Sequence, residues 1–378
     1  MLVMSACGSS SDDAKSSGSS TSASTSAEAP DVAAAKKNVE AAYAATAKGF
    51  DPVGPPAQKG KNVLYLSAGT SSPDGTYGVA EAKKAAKALG WNLKVFDGKF
   101  SPQVYQEGIR QAISQKVDGL LMYGIDCGGN KKALQEAQAA GIKVSAMAGV
   151  DCNETKPGDA SLFEANASHP GGKTDYEFYQ QNGAIQADWI IAKTNGKAKV
   201  IEFAVPSFQV TAATQKGFEA ELAKCSGCKI VETVDVGVDD FGPQLQEKAQ
   251  QALLKQPDAN AVAVSYDDLL TLGVAAAVAG SGHKDQLNVI AGNGSEPAMD
   301  LIRKDKGNNA GYVIDVSWTH FAGADALNRL FAGEKITETG EPVTVYDKDH
   351  NLAASGKFVP KFDFEGAFEK VWSGGGGQ

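Results

Sequence analysis

Apolar residues fall in two registers along most of the chain: short unbroken runs, and longer stretches in which they recur every three or four positions. "NVLYLS" (62–67) is of the first kind, and "GVAEAKKAAKAL" (78–89), ended by Gly90, is of the second. Apolar runs follow at 91–97, 117–124 and 142–150, separated by helical patterns at 102–115 and 130–141. Strands buried on both faces and alternating with amphipathic helices predict βαβ units and a parallel sheet. The order then repeats, with "KVIEFAV" (199–205) starting 137 residues after Asn62. Strands at 229–236, 259–266 and 287–294 alternate with helices at 211–222, 243–256 and 269–280. "PQVYQEGIRQAISQ" (102–115) and "PQLQEKAQQALLKQ" (243–256) share their Pro-Gln entry. Two copies of one α/β unit predict two similar doubly wound lobes rather than one eight-unit barrel.

The first sixty residues break this pattern. Residues 8–30 are mostly Ser, Ala, Thr and Gly, which cannot build a core. Residues 31–50 are Ala-rich and helical in pattern, and "DPVGPPAQKGK" (51–61) reads as a stiff connector. Before them, "MSAC" followed by Gly8 resembles the lipobox of bacterial lipoproteins. That resemblance implies cleavage before Cys7 and a lipid on its thiol. It departs from the pattern at Met4, where Leu is usual, and in its missing charged and apolar leader, so the chain is expected to start inside a signal peptide. The Ser-rich stretch then serves as a tether of about 22 residues with a reach of roughly 25 Å.

Composition narrows the function classes. A net charge of −9, with no basic cluster, disfavours a nucleic-acid surface. The apolar run at 269–280 is too short to span a bilayer. Of the five cysteines, four lie in the globular part: Cys127, Cys152, Cys225 and Cys228. An even number fits disulfides in an oxidising compartment. Cys127 follows the third strand and Cys152 the fourth; sequential βαβ strands often lie side by side, so these two are expected to pair, at roughly 3 kcal/mol. Cys225 then pairs with Cys228, locking a turn. Bridges between the lobes are the competing arrangement and would oppose hinge motion. No metal or cofactor is expected, since one CxxC lacks two further ligands and His169, His283, His320 and His350 are scattered. No enzyme is expected either: there is no GxSxG, P-loop or GxGxxG after a strand.

Ligands of open parallel sheets bind beyond the carboxyl ends of the strands. The loops there are 68–77, 97–100, 124–130 and 149–154 in the first half, and 206–209, 239–242, 266–269 and 292–296 in the second. They carry carboxylates, amides, hydroxyls and aromatics, and Lys99 is their only cation. That mix suits a small, neutral, hydroxylated ligand, with aromatics stacking on a sugar ring.

From residue 61 to about 345 the chain resembles the type I periplasmic binding proteins of the ribose-binding class. "KKAAKALGWNLKVFD" and "VSYDDLLTLGVAAAVAGSG" followed by "VIAGNG" carry the resemblance. It implies two lobes joined by a three-strand hinge, delivery of a sugar or polyol to an ABC-transporter permease, and a monomer. It places Asp267 and Asn293 at sugar-binding positions, Phe241 at a ring-stacking position and Asp315 near a hinge crossing. Tyr77, Thr70 and Asp126 fall in first-lobe loops, and Trp318 lies just past a crossing, where ligand stacking and core packing are both open. Trp91, Trp189 and Trp372 read as packing residues. Ala148-Gly149 stands where pentose and hexose binders carry Asp-Arg, and an Arg expected near Thr214 is absent, which puts ribose itself in doubt.

Expected organisation is a leader remnant (1–7), tether (8–30), helix and connector (31–60), first lobe (61–165 with 316–344), second lobe (166–315 with 345–372) and tail (373–378). Crossings are expected at 164–168, 314–318 and 342–347. The expected function is an extracytoplasmic solute-binding lipoprotein that works by hinge closure. The alternatives are a binding module for a membrane sensor, or an importer receptor for a less polar ligand.

Overall fold

The computed structural model describes residues 29–375, so Cys7, most of the Ser-rich stretch and the last three residues lie outside the described residues. The chain begins with α1 (Pro30–Ala44) and then builds the first lobe. Its strands are β1 (Asn62–Ser67), β2 (Asn92–Asp97), β3 (Gly119–Tyr123), β4 (Lys143–Met147) and β5 (Ala165–Asn166). Between them run α2 (Pro73–Leu89), α3 (Pro102–Ser114), α4 (Lys131–Ala139) and the short α5 (Cys152–Thr155). The strands form one parallel sheet in the order β2-β1-β3-β4-β5. Central β1 is buried from Val63 to Ser67, as a strand covered on both faces must be, whereas edge strand β2 has exposed and half-buried positions and none fully buried.

The second lobe opens with α6 (Asp175–Lys193) and continues through β6 (Lys199–Ala204), α7 (Gln209–Leu222), β7 (Lys229–Asp235), α8 (Pro243–Lys255) and β8 (Ala261–Val264). After α9 (Asp267–Leu269), a π-helical turn and α10 (Ala275–Gly280) come β9 (Asn288–Ala291), α11 (Glu296–Arg303) and β10 (Ala310–Tyr312). α12 (Val316–Ala332) returns to the first lobe and packs on β4 and α2. β11 (Val345–Asp347) then closes the second sheet antiparallel to β10, in the order β11-β10-β9-β8-β6-β7. The last helix is α13 (Phe364–Lys370).

Both lobes and the crossings between them are thus present, with two differences from the sequence reading. "IDVSW" (314–318) is only half extended: the Asp315 carboxylate accepts the N–H groups of Ser317 (2.8 Å) and Trp318 (3.1 Å) and starts α12 there. The end of the chain, placed above in the second lobe, packs instead on the first. Phe364, Phe368, Val371 and Trp372 are buried with Trp318 and Phe321 of α12, because their apolar face covers that helix. α1 does the converse: Val32, Ala35, Val39 and Tyr43 pack on the second lobe, and the Tyr43 hydroxyl donates to Asp347 at 2.6 Å. The connector after α1 then enters the first lobe at Phe50. Two further passages of chain therefore accompany the three hinge crossings.

Cys127 and Cys152 are at disulfide distance, with Cα atoms 5.2 Å apart, and so are Cys225 and Cys228, at 5.3 Å. Trp91, Trp189 and Trp372 are core residues. Among the described residues no helix is long and apolar enough to cross a membrane.

Candidate functional site

The carboxyl ends of the two sheets face each other, and a cavity of about 440 Å³ lies between them. On the first-lobe side the chain leaves β1 at Ser67 and turns into α2, whose first turn carries Asp74. The Ser72 hydroxyl accepts the Gly75 N–H at 3.0 Å and Pro73 fits the first helical turn, so the helix start is fixed and Asp74 is held at the cavity. Tyr123 at the end of β3, Asp126, Ala148 and Phe100 complete that wall. The second lobe contributes Phe208, Thr214, Phe241, Ser265, Tyr266, Asp268, Asn293 and Tyr312, and α6 adds Tyr179.

The lobes are clasped on both sides of the cavity. Asp126 accepts the Val150 N–H of its own lobe and, across the cleft, the Gln209 N–H at the start of α7, both at 3.0 Å. That position meets the positive end of the helix dipole. Opposite, Asn293 donates its side-chain N–H to Asp74 at 3.0 Å. Asn293 has φ 85° and is followed by Gly294 at φ 73°, a left-handed turn that Asn tolerates better than most residues. A third clasp lies in an adjoining recess, where the Lys357 ammonium bonds the Tyr77 hydroxyl and stands 3.9 Å from Asp315.

Of the residues singled out from sequence, Asp126, Phe241 and Asn293 line the cavity. Tyr77 and Asp315 line the recess beside it rather than the cavity. Thr70 braces its loop: its N–H donates to Asp97 at 3.0 Å and its carbonyl accepts from Thr76 at 2.8 Å. Asp267 is buried beneath the 292–296 loop, where its carboxylate accepts the Ser295 N–H at 2.8 Å; its neighbour Asp268 lines the cavity instead. Trp318 is not at the cleft. Its indole N–H donates to the Thr339 carbonyl at 2.7 Å and its ring stacks on Phe364 at 5.0 Å, so it belongs to the first-lobe core. Ala148, which stands where the Asp of the Asp-Arg pair was expected, and Thr214, near which an Arg was expected, both line the cavity.

Sequence reasoning missed Asp74, Tyr123, Tyr179, Tyr266, Asp268 and Tyr312. Tyr123 and Tyr312 end strands β3 and β10, and a terminal aromatic on a buried strand is the signal that would have found them.

Burial dominates the electrostatics. It pushes the Asp126 carboxyl up to about 6, against the two N–H groups that favour its charge. Burial, with Asp74 adding to it, pushes Asp268 up to about 7. Asp74 is also raised by burial, less so for its bond from Asn293. Among the described residues no Lys, Arg or His lines the cavity. The arrangement places hydrogen-bonding groups and aromatic side chains on both lobes, as a binding site for a small polar molecule does.

The fold matches solved structures across nearly their whole length. A glucose-galactose binding protein from Geobacillus stearothermophilus aligns with TM-score 0.65 and 20% identity, over 77% of this chain and 99% of that one. A 5-methylthioribose transporter solute binding protein from Thermotoga lettingae aligns with TM-score 0.67 and 18% identity, over 78% and 89%. A galactofuranose binding protein aligns with TM-score 0.64 and 18% identity, over 82% and 98%. No curated protein sequence matches the chain. Residues 76–335, well over half of the chain, match the family described as periplasmic binding protein domain, and the protein belongs to that family.

Proposed function

We propose that the protein is an extracytoplasmic solute receptor that captures a sugar or polyol by hinge closure and hands it to an ABC-transporter permease. One observation carries this reading: a cavity walled by both lobes, with cross-cleft hydrogen bonds at Asp126–Gln209 and Asp74–Asn293 on either side of it. A ligand that touches both walls favours the closed state through its differential affinity for that state, which is the only way it can shift the equilibrium. The structural neighbours that bind galactose, galactofuranose or methylthioribose support the substrate class. Binding, not catalysis, is the whole activity.

The same proposal includes a lipid on Cys7, a monomeric receptor and an outer-face location, with the Ser-rich stretch as leash. A sugar and polyol panel tests the core of it by thermal shift. A ligand at a hundredfold its Kd stabilises the folded state by about 2.7 kcal/mol. Asn293→Ala is expected to weaken the identified ligand by about 1 kcal/mol or more in titration calorimetry. A panel in which no sugar or polyol raises Tm would sink the substrate class. Cys7→Ala in the full precursor tests the anchor: the variant is expected to leave the membrane fraction, and retention there would remove the claim.

A further inference from the structure

The cavity has an unbalanced charge. Among the described residues three carboxylates line it, those of Asp74, Asp126 and Asp268, and no cationic side chain does. Lys357 is engaged in the adjoining recess by Tyr77 and Asp315. Asp126 has its charge satisfied in part, by two backbone N–H groups. Asp74 has one oxygen engaged, by Asn293. The Asp268 carboxylate makes no hydrogen bond or ion pair among the described residues, and burial together with Asp74 pushes it up to about 7. Carboxylates enclosed without a counter-charge are costly, and the cost is removed by a cation placed between them.

The walls suit such a cation. Aromatic side chains line the cavity together with the acids: Tyr123 and Phe100 from the first lobe, Tyr266, Phe241 and Tyr312 from the second. An ammonium over such rings gains about 0.5–2 kcal/mol from each ring's quadrupole, more as water is excluded. A second, independent observation marks this as a ligand site. Ser265 lines the cavity, is 6% exposed, and its hydroxyl oxygen has no hydrogen-bond partner among the described residues. A buried hydroxyl without a partner calls for a polar group brought in from outside.

We infer that the ligand of this cleft carries a protonated nitrogen, an amine or ammonium on a sugar-sized hydroxylated body, seated between Asp74 and Asp268 with its remaining hydroxyls toward Ser265 and Asp126. This rests on the receptor reading above and narrows its ligand class from neutral sugars to cationic ones.

Matched pairs test it on the full chain. Titration calorimetry at pH 7 compares D-glucosamine and D-galactosamine with their parent sugars and with their neutral N-acetyl forms; choline and putrescine serve as cations without a sugar body. The amino sugar is expected to bind at least tenfold more tightly than either neutral partner, with affinity falling as salt rises. Asp268→Asn, close in shape to the native side chain, is expected to abolish that discrimination while its ligand-free Tm stays near wild type. Asp74→Asn provides an independent check if the first variant folds poorly. Neutral sugars binding as tightly as amines would overturn the cation inference and leave the receptor reading standing. Choline or putrescine binding while every sugar fails would support the cation and overturn the sugar body. No binding by any amine in the panel would overturn the inference.

Discussion

Each lobe carries one disulfide, and the two stand at opposite ends of their sheets. Cys127 and Cys152 follow β3 and β4, at the carboxyl ends that face the cavity, next to Asp126 and Asp151. Asp151 tightens the same corner by accepting from Cys152 N, Leu162 N and Ser161 Oγ. Cys225 and Cys228 join α7 to the amino end of β7, away from the ligand. The cavity edge of the second lobe has no disulfide among the described residues; it is held by apolar packing and by hydrogen bonds such as Tyr312 to the Ser265 carbonyl and Ser295 N to Asp267. One α/β plan thus yields a covalently braced wall and an adjustable one. The difference predicts that changes to the first-lobe bridge reach the site and that changes to the second-lobe bridge do not.

The largest expected effect is on stability against pH, and it weights the second lobe. Burial pushes Glu154 of the first lobe, and Asp188 and Glu202 of the second, each up to about 7. Unfolded, these carboxyls titrate near 4, so between about pH 4 and 7 the folded state holds the extra protons. Stability is then present at low pH and lost as pH rises through 7. His320 opposes this in part, since burial lowers it to about 4 and the unfolded chain takes up its proton first. Asp126 and Asp268, pushed up to about 6 and about 7, act with the same sign, so a net loss of about 5 kcal/mol or more from pH 5 to 8 is expected in urea titrations of the ligand-free protein. Asp188→Asn with Glu202→Gln should remove roughly half of the slope, the rest staying with Glu154, Asp268 and Asp126; an unchanged slope would clear these two groups.

Trp318→Ala follows, with an expected loss of about 3–5 kcal/mol from an emptied first-lobe core and no direct contact with ligand. A loss under 1 kcal/mol would show that the ring is not packed as described. Removing the cavity-edge bridge with Cys127→Ser and Cys152→Ser is expected to cost about 3 kcal/mol and also to weaken ligand binding, since Asp126 loses its brace. The same change at Cys225 and Cys228 closes a much shorter loop. It is expected to cost about 2 kcal/mol at most and to leave affinity unaltered. Equal affinity losses from the two bridge deletions would erase the contrast between the lobes.

How much of this was readable beforehand depends on how local the determinants are. The apolar runs of β1, β3, β6 and β8 announced themselves because strands buried on both faces need no alternation. α12 was hidden for the same reason: Val316 to Arg329 are buried throughout, so no polar stripe gave a helical period, and its start was read as a strand. Phe364, Phe368 and Trp372 are spaced by four and read as one helix face, but nothing local says which lobe that face will cover. At the site, Asp267 and Asp268 are adjacent at a helix start. Each residue turns the helix by about 100°, so their side chains point to different places. Only the packed structure decides which one meets the cavity. Tyr179 comes from α6, outside every strand-end loop, and was out of reach of a rule about loops.

The exchange of the terminal helices has a practical use. α1 rides on the second lobe and α13 on the first, so labels placed just before Pro30 and just after Gly375 report on different bodies. A donor and acceptor fluorophore fused there would convert hinge motion into an optical signal. Labels at these two sites would serve as the two arms of a gauge, with none inserted near the ligand.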